Sequence, residues 1–206
     1  MRHAVAFVLI LIALVLPAQS ARLALAPPEE PDATVVLNFK GTYSRAAVGE
    51  MQKEAARILQ SSGLRLGWTS NAEAAGRSFR GLVVFTFSGA CMFQPAPPLY
   101  DELGPYASTT TTDGVVQPFG TVDCDHVARS ARGAMAGDVD YARADFLIGR
   151  ALGRVVAHEL VHMLTHSGQH GTEGVQKPAL TGRQLIETSL RLSREDSDRL
   201  RLELSR

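Results

Sequence analysis

The sequence has no excess of charge of either sign. Its 21 Lys and Arg residues are balanced by 21 Asp and Glu residues. Binding to nucleic acid or to an anionic membrane surface requires a concentrated basic field. The charge balance therefore argues against both, and we expect no nucleic-acid partner. The composition, 45% hydrophobic and 20% charged, is that of a globular domain with enough apolar residues for a core.

Long apolar runs are also scarce. The run at residues 4–16 has thirteen members, whereas a membrane-spanning helix needs about 20. Arg2 precedes the run, Pro17 ends it, and small residues follow at 18 and 20, which is the layout of a secretory signal. We therefore predict a secreted or periplasmic protein without stable membrane insertion after signal cleavage. The predicted division is a signal peptide at 1–20, a linker at 21–32 and one domain at 33–206.

Cysteine is limited to Cys91 and Cys124, which do not form a CxxC pair. This spacing argues against a thiolate metal site. Oxidising compartments favour disulfides, so we expect the two residues to be bonded. Closing a loop of this size contributes about 3–4 kcal/mol in the chain-entropy model.

The signals along the mature chain are, in order, a strand, a helix, two strands, a hairpin, a further strand and a long helix. β-Branched apolar runs predict strands, Asp113-Gly114 predicts a hairpin, and helical spacing or capping pairs predict helices. The predicted strands are 33–39, 64–68, 82–87 and 121–124, and the predicted helices are 45–62, 141–164 and two short ones after Thr181 and Ser193. This order predicts an α+β fold with a single mixed sheet packed on helices.

Histidine is concentrated in one segment. Four of the five histidines after the signal fall between His158 and His170. His158 and His162 are one helical turn apart, so both rings project from one face and can bind a single zinc ion. Glu159 is rotated by about 100° from His158. There it can accept a proton from a zinc-activated water, which is the general-base role in hydrolysis.

A catalytic zinc usually has three protein ligands, and the sequence offers more than one candidate for the third. His166 lies about 12 Å along a straight helix from His158, too far to share its ion. Glycines after the helix allow the chain to turn, which favours His170. Glu187 on the next predicted helix is the alternative, and Glu173 is a weaker one.

The segment 155–164 (VVAHELVHML) resembles the zincin metallopeptidases, and the order of elements before it is most similar to the metzincin branch. It is also similar to a small bacterial family of exported zincin-like proteins. The resemblance implies a zincin-like fold in which the active-site helix follows the sheet. Thr165 and Gly168 stand where the metzincin pattern has glycine and the third histidine, and no methionine follows Met163. In another zincin branch a later glutamate completes the site, the role that Glu187 would take.

These observations predict an exported zinc endopeptidase that uses one zinc ion and acts on polypeptides. The metzincin likeness implies that an edge strand, for which the Asp113-Gly114 hairpin is the candidate, pairs with an extended substrate. The alternative is an inactive, zinc-stabilised binding or envelope protein. Glu159 favours the enzyme, because a purely structural site needs no general base. The oligomeric state is not indicated.

Overall fold

The computed structural model describes residues 30–94 and 104–205. The predicted signal peptide at 1–20, and the linker up to residue 29, lie outside the described residues. The structure is α+β, with one five-stranded sheet packed on helices. The strands are β1 (Ala33–Phe39), β2 (Leu66–Ser70), β3 (Leu82–Ser88), β4 (Ala107–Thr112) and β5 (Val115–Asp123). The helices are α1 (Arg45–Leu59), α2 (Asn71–Ala74), α3 (Cys124–Gly133), α4 (Gly137–Ala142), α5 (Ala144–Leu164), α6 (Gly182–Ile186) and α7 (Arg194–Leu204).

The sheet is mixed, with the order β2-β1-β3-β5-β4. All neighbours are parallel except β4, which lies antiparallel to β5 at the edge. The hairpin between them turns at Asp113 and Gly114, both with positive φ, as the sequence predicts. The strand predicted at 121–124 corresponds to the end of β5 up to Asp123, because Cys124 begins α3. Thr109 pairs with Gly120 but Thr111 pairs with Val116, so the ladder shifts where β5 contains Pro118, which has no N–H to donate.

The helices of the structure differ in part from the predicted ones. The helix expected at 141–164 begins only at Ala144, because the separate short helix α4 ends at Ala142. The helix α3 was not predicted at all; it begins at Cys124, where the Asp123 side chain accepts a hydrogen bond from the His126 N–H as an N-cap. The two short terminal helices are confirmed as α6 and α7. No helix in the described part of the chain is both long and apolar enough to cross a membrane.

The helix that carries the histidines, α5, packs closely on α1. Gly149 and Gly153 are one turn apart on α5, at the contact. A Cβ added at Gly149 would lie 2.4 Å from the carbonyl oxygen of Ala47, and one at Gly153 would lie 2.7 Å from that of Met51. The absence of a side chain at both positions therefore sets the short distance between the two helices.

A buried ion pair also connects these helices. The Arg154 guanidinium is fully buried, and its Nε donates to Oε1 of Glu54 at 2.9 Å. Burial raises the pKa of Glu54, but hydrogen bonds from Arg57 and Arg154 outweigh it and hold the pKa below its usual value. Arg154 also donates to the carbonyl oxygens of Gln184 and Glu187. One arginine therefore joins α1, α5 and the end of α6.

The predicted disulfide between Cys91 and Cys124 is present, with a Cα–Cα distance of 4.8 Å. It joins the chain just after β3 to the first residue of α3. Both cysteines are buried, and no free cysteine remains in the chain.

Candidate metal centre

The candidate centre is built on the last two turns of α5. This helix is buried along most of its length because apolar residues cover nearly all its faces. His158, Glu159 and His162 interrupt that apolar surface; Glu159 is 7% and His162 is 6% exposed. Polar groups at this depth require partners. Their partners come from three other parts of the chain.

Main-chain carbonyl groups orient both helical histidines. Nδ1 of His158 donates to the carbonyl oxygen of Val175 at 2.8 Å, and Nδ1 of His162 donates to that of Ser167 at 2.7 Å. A carbonyl oxygen only accepts, so in the neutral form of each ring the proton is on Nδ1 and Nε2 has a free lone pair. The same arrangement orients histidine ligands in metal sites generally.

The two free nitrogens point at one another. Nε2 of His158 and Nε2 of His162 are 3.1 Å apart, and with the Nδ1–H tautomer in both neutral rings neither nitrogen has a proton to donate to the other. Two nitrogens bound at about 2.1 Å to one tetrahedral ion would be about 3.4 Å apart. The close approach of two lone pairs therefore fits a cation between them.

His170 completes this group. The helix ends after Leu164, and His166 takes a left-handed conformation with φ of 48°, after which the Ser167 N–H donates to the carbonyl oxygen of His162 at 3.1 Å. The chain then returns, and the His170 ring lies 5.1 Å from His158 and 4.8 Å from His162, between centroids. One ligand nitrogen from each of the three rings lies within 4.8 Å of the other two.

The other candidate ligands lie elsewhere. Glu187 follows α6, where its carbonyl oxygen accepts hydrogen bonds from Arg150 and Arg154. His166 is exposed at the turn, and Glu173 precedes the short turn Gly174–Gln176. Within residues 30–94 and 104–205, only His158, His162 and His170 form a group of His, Cys, Asp or Glu side chains able to share a metal ion.

Burial favours the form of histidine that binds metal. It lowers the pKa of His158 to about 4, and it lowers the pKa of His170 as well. Both rings are therefore neutral at neutral pH, as metal ligation requires. Three neutral imidazole nitrogens are a common protein ligand set for catalytic zinc, which leaves a fourth position open. The residues present thus fit a zinc ion.

Glu159 lies beside the histidines and faces β4. Burial raises the pKa of its carboxyl group, against the opposing effect of a hydrogen bond from the hydroxyl of Thr109 to Oε2. Sequence reasoning did not identify Thr109 as a partner of Glu159. The only signal was a run of threonines in the predicted hairpin, which does not distinguish one threonine from the next.

A cavity of about 370 Å³ opens in front of these groups. Its walls are β4, α5 and the segment 177–180, and it includes His158, Glu159, His162 and His170. Tyr106, from just before β4, also lines it. The histidine cluster and the glutamate thus share one cavity beside an edge strand.

Comparison with known proteins gives the fold but not the activity. No protein-family model matches the sequence, and no curated protein matches it. Among solved structures, the chain is similar to archaemetzincin from Methanopyrus kandleri, with a TM-score of 0.51 and 10% identity over 88% of this chain and 100% of the other. At this identity the likeness concerns the fold alone. The chain therefore has an α+β, zincin-like fold similar to that of archaemetzincin, and the predicted fold class is confirmed.

Proposed function

We propose that this chain is an exported zinc peptidase in which His158, His162 and His170 hold the metal and Glu159 is the general base. One observation carries the proposal: the ligand nitrogens of three histidines converge beside a buried glutamate in a cavity next to an edge strand. The name of the structurally similar protein, archaemetzincin, agrees with the metzincin-like class. Two independent observations support this class: the fold, and the histidine group of the candidate metal centre.

The metal and the side chains of the site have separate roles in the proposed reaction. A bound zinc supplies Lewis acidity, which polarises a peptide carbonyl and makes a water easier to deprotonate. Glu159 accepts the proton of the attacking water at a carboxylate oxygen and passes it to the leaving amine nitrogen. Burial raises the pKa of Glu159 towards the range that suits a general base. The hydroxyl of Thr109 holds Oε2, which leaves Oε1 for the proton transfer.

The edge strand β4 is the proposed binding site for an extended peptide. The Asp123 N–H donates to the carbonyl oxygen of Tyr106 at 2.9 Å. Because main-chain groups in an antiparallel pair alternate in direction, those of Ala107 and Thr109 point away from β5. A peptide could add to this edge as a further strand, with its backbone near the histidines.

Replacement of Ala107 by proline tests this mode of binding. It removes one outward-pointing N–H and is compatible with the edge of a sheet. We expect KM for an extended peptide to rise several-fold while zinc content stays at the wild-type level. Unchanged KM would show that substrates do not pair with β4 at this residue.

Export is the second part of the proposal. The disulfide is compatible with an oxidising compartment, and the predicted signal at 1–20 would direct the chain there. We expect the mature protein, isolated from the periplasm or the medium, to begin at Ala21 when its N-terminus is determined by mass spectrometry. An intact N-terminus on a protein retained inside the cell would contradict this part of the proposal.

The decisive experiment compares zinc content and peptide-library cleavage in the wild type and four variants. We expect Glu159→Ala to keep zinc and lose cleavage, and His170→Ala to lose both. Glu187→Ala and His166→Ala serve as controls, because neither side chain belongs to the histidine group. Both controls should bind zinc as the wild type does.

Each alternative to this proposal predicts a different result in the same experiment. Zinc retained in His170→Ala but lost in Glu187→Ala would make Glu187 the third ligand. Cleavage that survives in Glu159→Ala would rule out the general-base mechanism. A wild type that binds zinc tightly but cleaves no member of the library would favour an inactive, zinc-stabilised binding or envelope protein.

A further inference from the structure

The short turn Gly174–Gln176 contacts both segments that carry the three histidines, the helix α5 and the loop of His170. The carbonyl oxygen of Val175 accepts from Nδ1 of His158 at 2.8 Å, and Nε2 of Gln176 donates to the carbonyl oxygen of His158 at 2.7 Å. The carbonyl oxygen of Gln176 accepts from the N–H of Gly171 at 2.9 Å. One turn therefore holds the ring and the main chain of His158, and also the residue after His170.

The turn itself is held firmly. The N–H of Val175 donates to the carbonyl oxygen of Arg191 at 2.9 Å, and the Val175 side chain is fully buried. Gly174 has a φ of +66°, and a Cβ there would lie 2.4 Å from the same carbonyl oxygen. Only glycine fits this conformation and this close approach. The chain before α7 thus fixes where the turn lies.

Gln176 is an unusual residue for its position. It is 1% exposed, and its Oε1 has no hydrogen-bond partner in the described part of the chain. A buried acceptor without a partner is unfavourable, and a methionine of similar length would fill the volume without that cost. The hydrogen bond that the amide N–H donates therefore explains a glutamine at this position better than packing does.

The side-chain N–H of Gln176 donates to the carbonyl oxygen of His158, which belongs to the helical turn from His158 to His162. In an α-helix the carbonyl oxygen of residue 158 also accepts from the N–H of residue 162. The bond from Gln176 reaches the turn of α5 whose geometry sets the separation of the His158 and His162 rings. Through its own carbonyl group, the same residue restrains the loop that carries His170.

We propose that Gln176 is a positioning residue of the metal centre. Its amide group and its carbonyl group hold the helical turn at 158–162 and the His170 loop at a set distance. The three ligand nitrogens are thereby preorganised for one ion. The inference rests on the proposed metal site, but it concerns metal affinity and geometry rather than cleavage.

Two variants test it on the full-length protein. Gln176→Met removes the amide N–H and the unpaired acceptor at similar length, and Gln176→Glu keeps the shape but replaces the donor by an acceptor. We expect both to bind zinc about 10- to 100-fold more weakly in competition with a chromogenic chelator. The visible absorption of the Co²⁺-substituted protein should also change, because the ligand geometry is altered.

Thermal unfolding of the metal-free protein separates positioning from simple stabilisation. Gln176→Met should unfold no earlier than the wild type, since it removes a buried unpaired acceptor. Gln169→Met is the matched control, because Gln169 is an exposed glutamine on the same loop, and it should bind zinc as the wild type does.

Three results would overturn the inference. The first is wild-type zinc affinity together with an unchanged Co²⁺ spectrum in both Gln176 variants. The second is early unfolding of metal-free Gln176→Met with normal affinity in the folded protein, which would make the role structural. The third is a wild type that binds neither zinc nor Co²⁺, which would remove the proposed function as well; the first two leave that function intact.

Discussion

The hydroxyl of Thr109 donates a hydrogen bond to Oε2 of Glu159, across 50 positions of the sequence. It connects the edge strand β4 to α5, the helix that carries two of the histidines. The shifted register next to Thr109, at Pro118 of β5, is the kind of irregularity that turns a side chain towards a site. The strand that borders the cavity therefore also orients the proposed base.

Substitutions of Thr109 should distinguish the effect of its hydrogen bond to Glu159 from the effect of its side-chain packing. We expect Thr109→Val, which has nearly the same shape without the hydroxyl, to lower kcat/KM about 10- to 100-fold, in line with other groups that orient a catalytic residue. Thr109→Ser keeps the hydroxyl and should stay within a few-fold of the wild type. Thr110→Val, at an exposed neighbour, is the control. Equal activities of Thr109→Val and Thr109→Ser would show that the hydrogen bond has no part in catalysis.

The disulfide should contribute strongly to stability. We expect the double variant Cys91→Ala/Cys124→Ala to lose about 3–4 kcal/mol of unfolding free energy in urea, since the bridge joins residues 33 positions apart. Reductant should lower the stability of the wild type by a similar amount and leave the variant unchanged. A wild type that is insensitive to reductant would argue against this estimate.

The two glycines of α5 should be intolerant of even one methyl group. Gly149→Ala and Gly153→Ala each place a Cβ against the main chain of α1, so we expect a loss of about 1–3 kcal/mol. Gly49→Ala, in α1, is the matched control; it meets nothing within 4 Å and should stabilise the protein by up to about 1 kcal/mol. Urea unfolding of the three variants tests the contrast, and equal effects would contradict the close packing of α1 on α5.

The buried pair of Glu54 and Arg154 predicts a dependence of stability on pH. The pKa of Glu54 is lower in the folded protein than its ordinary value of 4.5, so folding favours the carboxylate. Its contribution is complete above about pH 4.5 and is lost as the pH falls through the lower folded pKa. At pH 7, Glu54→Gln should lose about 3–5 kcal/mol because the Arg154 charge stays buried without its counter-ion.

Urea unfolding of the metal-free protein from pH 7 to pH 3 measures this effect, because zinc release then plays no part. The difference between the wild type and Glu54→Gln should be constant above pH 4.5 and should shrink below it. Glu195→Gln, whose side chain is 84% exposed, should show no comparable loss at any pH. A difference that does not change with pH would mean that the charge of Glu54 is not what stabilises the fold.

Local signals in the sequence were sufficient for much of the fold. The predicted strand at 33–39 coincides with β1, because β-branched and apolar residues follow one another there in a continuous run. The C-terminal helices follow from their capping residues, Thr181 and Ser193. The short helix α3 was missed because its sequence, CDHVARSARG, has few apolar residues, and because its packing against α5 and the disulfide at its first residue are tertiary contacts that no local pattern shows.

The site was predictable only in part, for a physical reason. His158, Glu159 and His162 share one helix, so their geometry follows from its period. The position of His170 depends on the left-handed turn at His166, a conformation that is uncommon for residues other than glycine and that no local pattern indicated. Thr109 and Gln176 reach the site through tertiary contacts, which a single sequence does not encode in any short motif.

The way in which the two helical histidines are oriented bears on how this centre tolerates evolutionary change. Their Nδ1 atoms are bound by the carbonyl oxygens of Ser167 and Val175, and every amino acid supplies a main-chain carbonyl. Substitutions at these two positions can therefore accumulate without altering the histidine orientation, provided that the backbone path is kept. Selection on such a centre acts on the course of the chain more than on the identity of its residues.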